Sequence, residues 1–185
     1  MKLKLTLLSV FAFCTLIAFS QDKKPQLVGV HFNLIDFKSI KSFNTPSTGK
    51  GYSGFKDMSK GFSLAYWRGL TTKIDLNVKA NVVFYDFSSI NKGVIGKQEV
   101  GVELEPTFNI RPFTDAAKLA PFLTVGAGVG LYNKDFGAYI PAGGGLQLNI
   151  DKFAYLFLQA QYKFTLTKKV LGDNLFYSIG FAQKI

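Results

Sequence analysis

The sequence predicts an all-β protein, an eight-stranded antiparallel up-and-down transmembrane β-barrel. Three observations predict it. Apolar and polar residues alternate with period two along one stretch after another. Those stretches run well past the five or six residues usual in soluble sheets and match the roughly nine to eleven needed by a tilted membrane strand. Charged side chains also fall in the middle of them, where an ordinary apolar core would not tolerate them.

The first element is not a strand. Lys2 and Lys4 form a short positive segment, Leu5 to Phe19 is almost wholly apolar, and Ala18, Phe19 and Ser20 end in a small residue. Gln21, Asp22, Lys23 and Lys24 then turn the chain polar. This is the pattern of a secretory signal peptide cleaved after Ser20. The apolar run is fifteen residues long, short of the roughly 20 a spanning helix needs. The chain therefore divides into a signal peptide, 1–20, and an outer-membrane β-barrel domain, 21–185. Cleavage removes Cys14, the single cysteine, and with it any disulfide or thiolate chemistry. Phe11 and Phe13 ahead of Cys14 do not suit a lipoprotein signal.

Eight strands follow, near 27–37, 61–69, 73–86, 98–110, 120–132, 138–150, 154–166 and 175–185. The clearest alternation is at Gln98 to Ile110. Val100, Val102, Leu104, Phe108 and Ile110, with Pro106 among them, oppose Glu99, Gly101, Glu103, Glu105, Thr107 and Asn109. Ile74, Leu76, Val78, Ala80, Val82 and Phe84 likewise oppose Asp75, Asn77, Lys79 and Asn81. The later strands repeat the scheme, with Leu158 and Phe164 against Gln159, Gln161 and Lys163, and Ile179 and Phe181 against Ser178 and Gly180.

Connections come in two sets. Leu70 to Thr72, Arg111 to Leu119 and Asp151 to Phe153 form one. Lys38 to Lys60, Ser88 to Lys97, Asn133 to Gly137 and Thr167 to Asn174 form the other, which includes the longest. Membrane barrels have short periplasmic turns and longer outer loops, so both termini are expected in the periplasm of a bacterial outer membrane. In such a barrel the apolar face meets lipid and the polar face lines the lumen. Lys79, Glu103, Glu105, Lys163, Gln147, Gln159, Gln161 and His31 are accordingly expected inside, as a polar network. Glycines 126, 128, 130, 143 and 145 on the same face are expected to leave room for large side chains from across the barrel. A soluble lipocalin-like barrel would keep an apolar interior, which the lumenal Glu and Lys residues oppose.

The chain resembles the outer-membrane β-barrel domain family of Bacteroidetes, OmpA-like in general shape. The resemblance rests on Gly61-Phe62-Ser63-Leu64-Ala65-Tyr66-Trp67, Ala138-Tyr139-Ile140-Pro141-Ala142-Gly143-Gly144-Gly145-Leu146, Leu158-Gln159-Ala160-Gln161-Tyr162 and Leu175-Phe176-Tyr177-Ser178-Ile179-Gly180-Phe181. It implies an integral outer-membrane protein with no shared catalytic residues, inserted by the barrel assembly machinery and surrounded by outer-membrane lipid and lipopolysaccharide. The chain departs from the pattern twice. No peptidoglycan-binding domain is expected after the barrel, and residues 181–185 read Phe181-Ala182-Gln183-Lys184-Ile185, where the family pattern usually has a terminal aromatic.

No motif points to a reaction or a cofactor. Gly126-Ala127-Gly128-Val129-Gly130 lies within a strand and lacks the following helix that would cradle phosphate. His31, the single histidine, reads as a hydrogen-bonded lumenal residue, and Glu103 and Glu105 as members of an ion network with lysines. The net charge of +10 is spread over lysines at connections, without an arginine cluster, and suggests anionic headgroups or surface polysaccharide in place of nucleic acid. Phe43, Tyr52 and Phe55 in the long Lys38 to Lys60 connection are candidates for contact with an envelope or extracellular ligand. The expected function is a non-enzymatic, monomeric membrane scaffold or surface-binding protein with a largely closed polar lumen. A small pore or hydrophobic-solute channel is the next reading, and a lipid A-modifying enzyme the least supported.

Overall fold

A computed structural model describes residues 23–40, 54–86, 98–113, 117–132, 135–167 and 170–185. The signal-peptide segment, Phe43 and Tyr52 lie outside these residues. Nine strand segments form one antiparallel sheet: β1 (Leu27–Asp36), β2 (Ser59–Gly69), β3 (Ile74–Asp86), β4 (Gln98–Ile110), β5 (Leu119–Gly126), β6 (Gly128–Tyr132), β7 (Asp135–Asn149), β8 (Ala154–Thr165) and β9 (Asn174–Lys184). Sequential neighbours pair, and β1 pairs with β9, so the sheet closes without an edge. Closure satisfies every ladder position that an open sheet would leave bare in lipid.

β5 and β6 occupy one position in the barrel, which makes eight strands around the circumference. Both pair with β4 and β7, and the register of Thr107↔Gly126 continues unchanged into Leu104↔Val129. The expected strand 120–132 is thus interrupted at Ala127, and proline chemistry explains the break. The Ala127 N–H donates to the Pro106 carbonyl at 3.1 Å, but Pro106 has no N–H to return. In the continued register Pro141 of β7 opposes Gly126. Proline in a sheet interior removes a ladder bond, and here two flank the same point.

Side chains sort as the alternation requires. Val100, Val102, Leu104, Phe108 and Ile110 are exposed on the outer surface, as are Val82, Phe84, Leu123, Val125, Leu158, Phe164, Ile179 and Phe181. Glu103, Glu105, Thr107, Asn109, Lys79, Gln147, Gln159, Gln161 and Lys163 are buried inside. An apolar belt of this extent on every strand far exceeds what soluble monomers expose, whereas hydrocarbon is its natural solvent. The chain is a transmembrane β-barrel.

Two expectations need correction. Asn133 to Gly137 was expected as a loop, yet β7 begins at Asp135, and Asp135, Phe136 and Gly137 pair with Tyr132, Leu131 and Gly130. Backbone pairing carries the hairpin past the apolar pattern, into residues that look like turn formers. The glycines are also filled differently. Tyr139 lies over its cross-strand partner Gly128, Phe122 over Gly145 and His31 over Gly180, while Tyr132 covers Gly130 from its own strand. Gly126 and Gly143 instead face the backbone of adjacent strands. The rings come from the same wall, not from across the barrel.

Candidate functional site

Among the described residues, chemistry-bearing side chains converge in the lumen, which is filled in layers. The middle layer centres on Glu103, which the β4 pleat points inward. Its two oxygens accept from Tyr85 Oη at 2.6 Å, Tyr132 Oη at 2.8 Å, Tyr139 Oη at 2.9 Å and Asn81 Nδ2 at 3.0 Å. Lys163 Nζ completes the shell at 2.7 Å and also lies 3.0 Å from Glu105 Oε2. Lys79, directly opposite Glu105 in the β3–β4 register, approaches its other oxygen to 3.9 Å and donates to Gln159. Two carboxylates therefore face two ammonium groups, and the layer balances in charge.

This balance is what makes burial tolerable. An isolated ion in so dry a site carries a desolvation cost of several kcal/mol, and only close counter-ions with saturated hydrogen bonds offset it. The Lys163 ammonium gains further from the faces of Phe176 and Tyr139, at 3.9 and 4.5 Å from their centroids. A smaller chain of polar groups leads off along the wall, from Asn81 to Ser63 at 2.6 Å and on to Asn33.

Toward the rim that carries the longer connections, Ile35, Phe37, Val83, Tyr85, Tyr132, Leu171 and Phe176 pack into a cluster. Toward the opposite rim, Leu27, Ala65, Trp67, Phe122, Tyr155, Phe157 and Ala182 form another, in which Trp67 and Phe157 stack with centroids 4.7 Å apart. Below it Asp75 lies 3.2 Å from Lys24 Nζ and 2.9 Å from Arg111 Nε. Lys24 also donates to Gln147, and its ammonium stands 5.0 Å from the Phe157 centroid.

The eight lumenal residues singled out from sequence are all inside, but they do not form one network. Lys79, Glu103, Glu105, Lys163 and Gln159 belong to the middle layer. Gln147 belongs to the Asp75 group, donating to Asn149 at 2.7 Å. Gln161 is buried without a side-chain hydrogen bond to any described residue. His31 stands apart, its Nδ1 3.1 Å from Ser178 Oγ and its ring stacked on Trp67 at 5.4 Å. Ser178 reaches it from β9, a pairing that sequence proximity could not reveal. Both residues are buried, with the ring held against Trp67 and Phe157. Among the described residues no group of three or more His, Cys, Asp or Glu side chains could hold a metal.

Sequence reasoning missed the Lys24–Asp75–Arg111 group. Asp75 reads inward, and Arg111 continues the inward phase of Thr107 and Asn109 one step past β4, but Lys24 precedes β1 and carries no alternation signal. Phe176 and Trp67, large inward rings, were visible only in the positions of their neighbours. On the rim that carries the longer connections Phe55 is exposed in a short 3-10 turn, Phe55–Asp57, with Lys60 Nζ 5.8 Å from its centroid.

Solved structures share this architecture. The N-terminal β-barrel domain of Pseudomonas aeruginosa OprF aligns with a TM-score of 0.60 at 10% identity, over 89% of this chain and 100% of that one. Neisserial surface protein A gives 0.60 at 9% identity, with 89% and 100% covered. The outer membrane protein OprG of Pseudomonas aeruginosa gives 0.56 at 10%, with 89% and 98%. The barrel is of the outer-membrane type. At these identities the likeness is one of fold alone. No family model matches the chain, and no curated protein matches it.

Proposed function

We propose that this protein is a non-enzymatic outer-membrane barrel whose closed lumen serves as a rigid pedestal for loops at the cell surface. The observation that carries the reading is the middle layer. Glu103 is surrounded by five donors, and aromatic clusters stand on either side of it. An eight-stranded barrel has an interior only just wide enough for side chains, and here they occupy it.

On this reading residues 1–20 are a signal peptide and 21–185 the mature barrel, a member of the Bacteroidetes outer-membrane barrel family. Leu27 and Lys184 are paired neighbours, so β1 begins and β9 ends on the rim of the shorter turns, and on this reading that rim faces the periplasm. Insertion uses the barrel assembly machinery, and the surrounding partners are lipid and lipopolysaccharide. Phe43, Tyr52 and Phe55 are the candidates for ligand contact at the outer rim, with nearby lysines favouring an anionic surface. The barrel works as a monomer and has no role with nucleic acid. The lumenal residues Lys79, Glu103, Glu105 and Lys163 hold the barrel shut, with Gln147, Gln159, Gln161 and His31 lining the rest.

Planar-bilayer recording of the refolded chain from Gln21 to Ile185 tests the closed lumen. The expected record is silent or shows only brief, irregular events. Sustained uniform steps at the scale of a general porin would replace this reading with the channel. N-terminal sequencing of envelope protein tests export, with Gln21 or a blocked pyroglutamate expected and an intact Met1 or Lys2 terminus contradicting it.

A further inference from the structure

The outer wall is not uniformly convex. Gly144 of β7 and Ala160 of β8 are direct register partners, and both present almost no side chain to the outside. Around this low floor stand Leu146, Phe32, Tyr177 and Ile179, contributed by β7, β1 and β9. Tyr177 is the β9 partner of Ala160, and Phe32 is the β1 partner of Ile179, so the depression runs obliquely over four adjacent strands. It is a groove of about 410 Å3, open to the outside and lined almost wholly by apolar groups.

We propose that this groove is a seat for one acyl chain of a membrane lipid. The inference rests on the transmembrane reading, because the groove lies within the apolar belt, bordered by Leu146, Leu158 and Ile179. Water is not a suitable occupant, since a buried water needs two to four polar partners. An empty groove would forfeit the dispersion contacts of its lining. A second barrel does not fill it either, because two convex walls meet along a line. A flexible hydrocarbon chain follows an oblique furrow and touches floor and sides together. A lipid held there exchanges more slowly than one resting on the opposite wall of β3 and β4, where Val82 and Leu104 project.

The test uses the full mature chain in liposomes containing a phospholipid with a photoactivatable diazirine on its acyl chain. After irradiation, adducts are mapped by mass spectrometry. Labelling at Leu146, Ala160 and Ile179 is expected to exceed that at Val82 and Leu104 severalfold. Ala160→Phe, which fills the groove from its floor, is expected to abolish that preference, while Leu104→Phe on the far wall leaves it intact. Even labelling around the belt, or crosslinks between barrels at the groove, would overturn the seat while leaving insertion in place. No labelling anywhere on the belt would refute the transmembrane reading itself.

Discussion

Among the described residues, the buried ion pairs fall into two groups that are built in opposite ways. The group around Glu103 is made wholly of strand residues from β3, β4, β6, β7 and β8, so the pleat aims every member inward. The group around Asp75 has its acid on a strand, but its cations come from Lys24, before β1, and Arg111, just after β4. The first is fixed by closure of the barrel itself. The second is completed by residues that lie just beyond the ends of strands. Strand-borne charge is thus committed to the fold, whereas rim-borne charge finishes it.

The sharpest way to break this comparison is to remove a cation from the first group. Lys163→Met leaves Glu103 and Glu105 facing each other with only Lys79 nearby, and breaking a buried pair costs about 3–5 kcal/mol. Urea unfolding in lipid vesicles should show that loss, and a loss below that of Leu104→Lys would contradict the central place given to Lys163. Leu104→Lys, one residue from Glu103 but on the lipid face, should cost about 2–4 kcal/mol near the midplane. No loss of stability on placing lysine at 104 would erase the distinction between the two faces.

Lys24→Met should cost less, about 1 kcal/mol, because Asp75 keeps Arg111 as a partner. A loss as large as that of Lys163→Met would mean that the rim group is as integral as the middle one. The smallest effect belongs to the exposed pair of Lys38 and Asp57, 3.0 Å apart on the rim of the longer connections. The Lys38 hydrogen bond and charge hold the Asp57 carboxyl below its ordinary 3.8. A depressed folded value gives stability that is present above 3.8 and lost as pH falls through the lower folded value. For so exposed a pair the expected change in unfolding is below detection. NMR titration is the suitable readout: Lys38→Ala should return Asp57 toward 3.8, and no movement would remove the pair from consideration.

The same contrast explains what the sequence made legible. Alternation through Lys79, Glu103, Glu105 and Lys163 marked their face, because a strand with one lipid-facing side exposes its period directly. It could not mark Lys24, which sits before β1. Nor could it locate the rings, since an inward Phe176 beside outward Leu175 and Tyr177 reads as one apolar run. The loop expected at Asn133 to Gly137 failed for a related reason: once past the lipid, a hairpin is held by its backbone, and its side chains need follow no pattern. The break at Ala127 depended on Pro106 and Pro141 meeting around a third strand, a register effect that no single stretch contains.

The pairing of β1 with β9 has a consequence for how the molecule comes into being. Every other pairing around the barrel joins strands that are neighbours in the chain, and these can zip as successive hairpins. The closing seam alone must bring the two ends of the sheet together, and it gathers the loop-closure entropy of the whole strand array. Until that seam forms, the sheet is a ribbon with two bare hydrogen-bonding edges and an oily back, the combination most apt to recruit stray strands. Assembly therefore has a vulnerable interval whose length is set by one ladder, Leu27 to Asp36 against Leu175 to Lys184. A helper that shields those two edges would govern the yield of folded barrel more strongly than any residue of the finished wall.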